Sequence, residues 1–187
     1  MSDSTSESAK SADATSDCRA VETRKSLFAA FGWLMQRTDY EHMRVTDISD
    51  RANVVRSTFY EHFGSKEDLL LQSIEGPFSV LAACAVGECT PRQLRLTLQH
   101  FWDRRTLIRS LLSGVTLDRL TRKLSAMTFD QLVSLKRASI DRQLLRLSAI
   151  QSAGSQIALV RVWLSGEVPA DIKPIVRLMI KAPTNFR

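Results

Sequence analysis

The stretch VTDISDRANVVRSTFYEHFGSKEDLL, residues 45–70 of this 187-residue chain, decides the fold of its N-terminal part. Val45, Ile48 and Ala52 recur at helical spacing and predict a first short amphipathic helix. Asn53 follows them, and asparagine tolerates the left-handed backbone conformation that a sharp turn between helices requires. We therefore expect a tight turn directly after residue 52.

The second helix of this stretch separates aromatic from polar side chains. Phe59 and Phe63 lie four residues apart and are expected to point into a core. The opposite face is polar and consists of Arg56, Ser57, Thr58, Tyr60 and His62. Gly64 then ends the helix, and Ser65 with Asp68 three residues later resembles a capping box that opens the next helix. The pattern predicts a helix-turn-helix whose second helix has the polar outer face of a DNA reader, with an ordinary helical hairpin as the alternative.

The residues of this stretch resemble one protein family closely. The run TFYxHFGSKxxLL, residues 58–70, is similar to the core signature of the TetR/AcrR family of bacterial transcriptional repressors, and VxDI at 45–48 and ANV at 52–54 resemble its first motif helix and turn. The resemblance is specific over residues 23–70. It implies an all-α fold, with an N-terminal three-helix helix-turn-helix DNA-binding head and a C-terminal helical body for ligand binding and dimerisation.

The candidate DNA-binding residues lie on and around the second helix. Arg56, Ser57 and Thr58 open it, and N-terminal residues of a recognition helix meet base edges, where arginine suits guanine. By resemblance, the family's phosphate-gripping positions fall on Thr58, Tyr60, His62 and Lys66. Thr46 is expected to cap the first helix and to bring its N-terminus to a phosphate. A solvated helix face is the alternative reading of this surface.

Three positions in the motif depart from the family pattern. The family usually caps its recognition helix with Ser or Thr, where this chain has Val55. Asn53 replaces the usual turn glycine, and Ser49 stands where a small alanine is common. The missing cap predicts a recognition helix that is less stable by about 1 kcal/mol.

The distribution of charge along the chain does not indicate a basic DNA-binding head. The formal net charge is +6, yet residues 21–75 hold 7 Lys and Arg against 9 Asp and Glu, while residues 76–187 hold 17 against 7. DNA binding by the head would therefore depend on a few placed cations and hydroxyls.

The three cysteines suit a reducing cytoplasm, with a thiol sensor that pairs Cys84 with Cys89 as the alternative. No apolar run predicts a membrane span, and no signal peptide is expected.

Composition and helix-breaking residues predict the domain organisation. Residues 1–20 are nearly free of apolar side chains and are expected to be a disordered tail, residues 21–70 to be the DNA-binding domain, and residues 71–187 to be the body. Pro77 should kink or break the connecting helix near Glu75 and Gly76. In the body we expect helices from Thr90 to Gly114, from 116 to 126, from 128 to 152, around 157–164 and from 171 to 180.

The body also contains candidate pocket and interface residues. Aromatic and cationic side chains that could line an effector cavity are Phe78, Phe101, Trp102 and Arg105, although such a stripe is also typical of plain core. The last two helices resemble the family's dimerising pair, and their candidate interface residues are Ile157, Val160, Leu164, Ile175 and Leu178. Burial in the core of a single chain is the alternative for these residues.

The sequence therefore predicts a cytoplasmic, homodimeric, sequence-specific transcriptional regulator. Its partners would be a pseudo-palindromic double-stranded DNA operator, a second copy of itself, and a small-molecule effector that releases a repressor from DNA. The alternative is a helix-turn-helix protein without such an effector, controlled by a protein partner or acting architecturally. The three histidines have no partner at metal or catalytic-triad spacing, and the glycines form no phosphate loop. We expect no enzymatic activity, no cofactor and no metal.

Overall fold

The computed structural model of the chain describes residues 4–135 and 141–181. Residues 1–3 of the predicted tail and the last six residues of the predicted body lie outside this description. The described residues form α-helices, a 3-10 turn at Tyr40–His42 and no β-strand, so the predicted all-α class is confirmed. The α-helices in chain order are α1 Ser4–Leu34, α2 Val45–Ala52, α3 Arg56–His62, α4 Lys66–Ser73, α5 Glu75–Ala85, α6 Pro91–Asp103, α7 Arg105–Leu111, α8 Gly114–Ser134, α9 Arg142–Ser165 and α10 Ile172–Lys181.

Helix α1 begins much earlier than the sequence predicted. It starts at Ser4, so residues 4–20 of the predicted disordered tail belong to the helix, and that prediction is wrong for them. Low apolar content argues against packing but does not stop a helix that has already nucleated, because each added residue gains one hydrogen bond. The segment also has no glycine or proline before Gly32.

The chain divides into two compact units, an N-terminal unit that ends at Ser73 and a C-terminal unit that begins at Ile74. The predicted border lay three residues earlier. Ile74 precedes the first turn of α5, and Pro77 is the third residue of that helix. A proline is tolerated there because the first-turn N–H groups of a helix have no intrahelical partner. The predicted break of the helix near Glu75 is confirmed.

Aromatic and aliphatic side chains of α1, α2, α3 and α4 form the core of the N-terminal unit. The buried residues include Leu27, Phe31, Ile48, Phe59, Phe63 and Leu69. Phe28 meets Phe63 edge to face with ring centroids 5.3 Å apart, and the Arg24 guanidinium lies 4.7 Å from the centroid of the Phe63 ring. This core holds α3 against α1 and α2 with its polar side outward.

The turn between α2 and α3 has the predicted geometry. Asn53 adopts the left-handed conformation, with φ 56° and ψ 44°. Val55 precedes α3 without a side-chain cap, as expected. The predicted cap on α2 is wrong: Thr46 is the second residue of the helix, and Arg44 stands at the N-cap with its N–H donating to the Asp47 carboxylate at 2.8 Å. An aspartate in the first turn supplies the acceptor that we had assigned to the threonine.

The C-terminal unit is built around α8 and α9, which pack on each other and on α5. Its core includes Leu81, Leu94, Leu98, Leu124, Leu132 and Val160. Two predicted boundaries here are wrong. The Thr128 hydroxyl donates to the Leu124 carbonyl at 2.9 Å within a continuous α8, so it does not start a new helix. Helix α9 runs through Gly154, whose cost of about 1 kcal/mol is offset by the packing of the buried residues around it.

The cysteines near the end of α5 are joined to each other. Cys84 and Cys89 form a disulfide, with their Cα atoms 4.7 Å apart across the turn that contains Gly87. The sequence favoured thiols in a reducing compartment, and the pairing was the alternative. The turn after α5 brings the two side chains together because Gly87 has a positive φ of 85°, which favours glycine.

Candidate DNA-binding surface and effector site

The outer face of α3 presents the residues that the sequence selected. Arg56, Ser57 and Tyr60 are exposed, whereas Thr58 and His62 are half-buried. Phe59 between them is fully buried and fixes the rotation of the helix about its axis. Because side chains four residues apart share a helix face, Arg56 and Tyr60 lie next to each other. The predicted polar face of the second helix is therefore open to solvent.

Arg56 is held in place by Tyr60. Its Nη2 donates to the Tyr60 hydroxyl at 3.2 Å, and its guanidinium carbon lies 5.5 Å from the centroid of that ring. A cation over an aromatic face is attracted to the ring electrons, which restricts the long side chain before any partner binds. The arrangement directs a planar, five-donor group outward from the first turn of α3.

Lys66 has a role that the sequence did not reveal. Its Nζ donates to the carbonyl of Tyr40 at 2.7 Å and to that of Met43 at 2.9 Å, and it lies 4.3 Å from the centroid of the Tyr40 ring. The Tyr40 carbonyl belongs to the 3-10 turn in front of α2, and Met43 is the residue that follows this turn. Ammonium donors of Lys66 are therefore used inside the N-terminal unit, and the expectation that Lys66 grips a DNA phosphate stays a prediction.

Two arginines that we did not select bracket an exposed tryptophan. The guanidinium carbons of Arg37 and Arg51 lie 3.9 Å and 4.1 Å from the centroid of the Trp33 ring. Arg37 also donates to the Trp33 carbonyl at 3.3 Å. Only the four-residue spacing of Trp33 and Arg37 could have indicated this cluster from sequence. The N-terminal unit thus positions several cations on aromatic rings, although its formal charge is not basic.

The structure separates the residues predicted to share an effector pocket. Phe78 and Phe101 are buried and line one apolar void of about 30 Å³. That volume suits about one water molecule, whereas small-molecule pockets measure about 300–1,000 Å³. Trp102 instead lines a different groove, of about 400 Å³, and the Arg105 guanidinium carbon lies 5.3 Å from the centroid of its ring. Neither of these two openings contains all four residues, and a shared effector cavity stays a prediction.

Four of the five predicted interface residues are core residues of a single chain. Ile157, Val160, Leu164 and Ile175 are buried, which corresponds to the alternative that the sequence left open. The physical reason is that the inner sides of α9 and α10 pack on other helices of the same unit. Leu178 is 55% exposed and remains a candidate.

Other apolar residues of α9 are exposed and were missed. Leu147 is 59% exposed and Ile150 is 51% exposed, both on the outer side of the helix. Leu144, one turn earlier, is also exposed. Their spacing of three residues is helical, and it could have pointed to a second apolar face on this helix.

The part of the chain that the structure describes contains no metal-ligand cluster and no membrane-spanning helix. In residues 17–135 and 141–180, no three His, Cys, Asp or Glu side chains are grouped as metal ligands. Among the described helices, none is both long enough and apolar enough to cross a bilayer.

His100 lies next to Arg104 on the surface of the C-terminal unit. The Arg104 Nη1 donates to the His100 Nδ1 at 2.7 Å, and burial lowers the pKa of His100.

Comparisons with known proteins agree with the geometry of the N-terminal unit. Residues 33–72 match the family model described as bacterial regulatory proteins, tetR family. Over 60 residues, 32% of this chain and 16% of the relative, the chain is 40% identical to the uncharacterized HTH-type transcriptional regulator YxbF of Bacillus subtilis (strain 168). Over 63 residues, 34% of each protein, it is 36% identical to the HTH-type dhaKLM operon transcriptional activator DhaS of Lactococcus lactis subsp. lactis (strain IL1403). The matched part of the chain thus spans 16% and 34% of the lengths of these curated relatives.

Similarity to solved structures extends over most of the chain. The TetR transcriptional regulator from Streptococcus agalactiae 2603V matches with a TM-score of 0.57 at 24% identity, over 90% of this chain and 97% of that one. The dihydroxyacetone kinase operon activator DhaS matches with a TM-score of 0.54 at 18% identity, over 85% of this chain and 92% of that one. At these identities the matches establish the fold. The curated relatives and both solved structures are described as transcriptional regulators or activators. The left-handed turn and the exposed face of α3 lie within residues 33–72, the part of the chain that matches the tetR family model, and the chain as a whole has the fold of solved TetR-type regulators.

Proposed function

We propose that this chain is a cytoplasmic, sequence-specific DNA-binding transcriptional regulator that works as a homodimer on a pseudo-palindromic operator. The observation that carries the proposal is the exposed face of α3, where Arg56 and Ser57 open a helix that buried Phe59 anchors. A helix docked in the major groove presents its N-terminal residues to base edges. The proposed mode of action is repression that a small-molecule effector relieves.

Each residue on this surface has a distinct proposed role. Arg56 reads guanine through its two parallel N–H donors, since it is exposed at the first position of α3 and oriented by Tyr60. Ser57 and Thr58 contact neighbouring base edges or the backbone. Tyr60, His62 and Thr46 contact phosphates. Lys66 contributes indirectly by holding the turn in front of α2.

The proposed dimer uses the outer side of the last two helices. Family regulators dimerise, and α9 and α10 are the helices that we expected to pair with their two-fold mates. Because the inner residues of α9 serve the core of one chain, we assign the interface to Leu147 and Ile150 of α9 and to Leu178 of α10. Exposed aliphatic side chains of this size are typical of a surface that a second subunit covers.

A second candidate is control by a protein partner without a small effector. The void of about 30 Å³ beside Phe78 and Phe101 favours it, because a space of this size is too small for a small-molecule effector. The relative DhaS is described as an activator, so activation of transcription is the alternative to repression. A thermal-shift screen with small molecules separates the two candidates, since an effector stabilises the folded state on binding.

The central test is selection of DNA from a random pool by the purified protein. We expect an enriched pseudo-palindrome whose half-sites are centred about 10 base pairs apart or a multiple of that. Arg56→Ala should relax the preference at one base pair per half-site and cost about 1–3 kcal/mol of binding. Arg122→Ala, which removes an exposed arginine of α8, is the matched control and should leave the selected sequence unchanged. Failure to enrich any sequence would overturn the proposal.

A further inference from the structure

A groove of about 400 Å³ opens on the surface of the C-terminal unit between α6 and the beginning of α10. Its α6 side carries Arg95, Gln99 and Trp102, whose spacing of four and three residues places them on one helix face. The other side consists of Trp163 of α9 and residues 170–173. The groove is separate from the apolar void at Phe78, and its volume lies in the range of small-molecule sites.

Two stacked tryptophans form the apolar wall of the groove. The rings of Trp102 and Trp163 lie 5.1 Å apart between centroids, with an angle of 29° between their planes. Trp163 is buried, and its Nε1 donates to the Ala170 carbonyl at 2.9 Å, which fixes the ring to the segment before α10. Trp102 stacks on this fixed ring and stays 37% exposed. Trp102 is thus held in place by stacking and keeps part of its surface accessible.

The charged residues around this wall are mostly cations. Arg95 stands on the α6 side and Lys173 on the α10 side, with Asp171 as the acid in the lining. The guanidinium carbon of Arg105 lies 5.3 Å from the Trp102 ring centroid and adds a further positive charge. Gln99 is oriented by its amide, which donates to Asp103 at 2.8 Å. The groove therefore combines an aromatic platform with a cation on each side, Arg95 on α6 and Lys173 on α10.

We propose that this groove binds a planar aromatic carboxylate. The ring stacks against Trp102, where offset aromatic pairs are favourable, and the carboxylate lies between Arg95 and Lys173. A neutral aromatic compound loses the charge-assisted hydrogen bonds, and an aliphatic acid loses the stacking. Such a ligand bridges α6 and α10, two helices of one unit that pack on each other. Its role as an effector rests on the proposed regulatory function, whereas its binding does not.

The test is isothermal titration calorimetry of the full chain with three probes. We expect 2-naphthoate to bind with one site per chain, and 2-naphthamide and cyclohexanecarboxylate each to bind at least roughly tenfold more weakly. Arg95→Gln should weaken 2-naphthoate binding by about tenfold, and Trp102→Leu by a similar factor. Arg109→Gln, at an exposed arginine of α7 outside the groove, is the matched control and should bind as the parent does.

Three results would overturn the proposal. They are no binding of 2-naphthoate, equal affinity for the acid and the amide, and an equal effect of Arg95→Gln and Arg109→Gln. Far-UV circular dichroism of each variant identifies any loss of fold, and both arginines are exposed enough to be replaced without core damage. Loss of 2-naphthoate binding with normal operator selection rejects the groove alone. Normal 2-naphthoate binding without operator selection rejects the proposed regulatory function alone.

Discussion

Replacing Lys66 with methionine tests whether this residue holds the N-terminal unit together or grips DNA. Lys66→Met keeps a long apolar stem but removes the ammonium that donates to the carbonyls of Tyr40 and Met43. Each hydrogen bond to a charged group contributes about 1.5–3 kcal/mol. Taking the lower value for both bonds, because the site is only partly buried, and allowing for regained side-chain entropy, we expect a loss of about 2–3 kcal/mol in the free energy of unfolding.

Urea unfolding with hydrogen exchange read at residues 40–48 measures this loss. With an m-value of about 1.5 kcal/mol per molar, the midpoint for these amides should fall by roughly 1–2 M. Lys25→Met, the same change at an exposed lysine of α1, is the control and should shift it little. At a urea concentration where both variants are folded, the salt dependence of operator binding should be equal. Normal stability with a salt slope shallower by about one unit would refute the structural role of Lys66 and restore a phosphate contact.

Three further predictions concern stability, pH and assembly. Ser49→Ala should raise the free energy of unfolding of the N-terminal unit by about 1 kcal/mol in urea titrations, because the Ser49 side chain is 2% exposed and its hydroxyl has no hydrogen-bond partner; a decrease would contradict this. Burial, and then the charge of Arg104, lower the pKa of His100 in the folded chain below its ordinary value. The unfolded chain therefore binds a proton at higher pH than the folded chain, and the free energy of unfolding should decrease as pH drops below about 6.5. His100→Gln should remove that part of the pH dependence of thermal unfolding, and an unchanged dependence would assign it elsewhere. Leu147→Glu with Ile150→Glu should give folded monomers in light scattering, and a surviving dimer would exclude the outer face of α9 as the interface.

Much of the N-terminal unit was predictable because its signals are local. The left-handed Asn53, the uncapped Val55 and the inward Phe59 all follow from residues within a few positions of each other. The break before α5 follows from Pro77 in the same way. Backbone geometry and helical spacing act over one or two turns, so one sequence by itself carries this information.

Some helix boundaries were not predictable from local signals. The chain passes from α6 to α7 at Arg104 with no glycine or proline to mark the change. Conversely, α9 continues through Gly154, although the residue predicts a stop. Here the burial of side chains against other helices outweighs propensities of about 1 kcal/mol, and burial is decided by the whole fold.

The site residues depended most on tertiary structure. The spacing of Ile157, Val160 and Leu164 predicts a buried face, but it does not say whether the same chain or a second copy covers it. Lys66 meets carbonyls 23 and 26 residues earlier, and Trp102 stacks on a ring 61 residues later in the chain. Periodicity along the sequence determined which side of each helix is apolar, whereas only the packing of helices against one another decided which partner each side chain meets, because contacts between distant residues leave no local pattern.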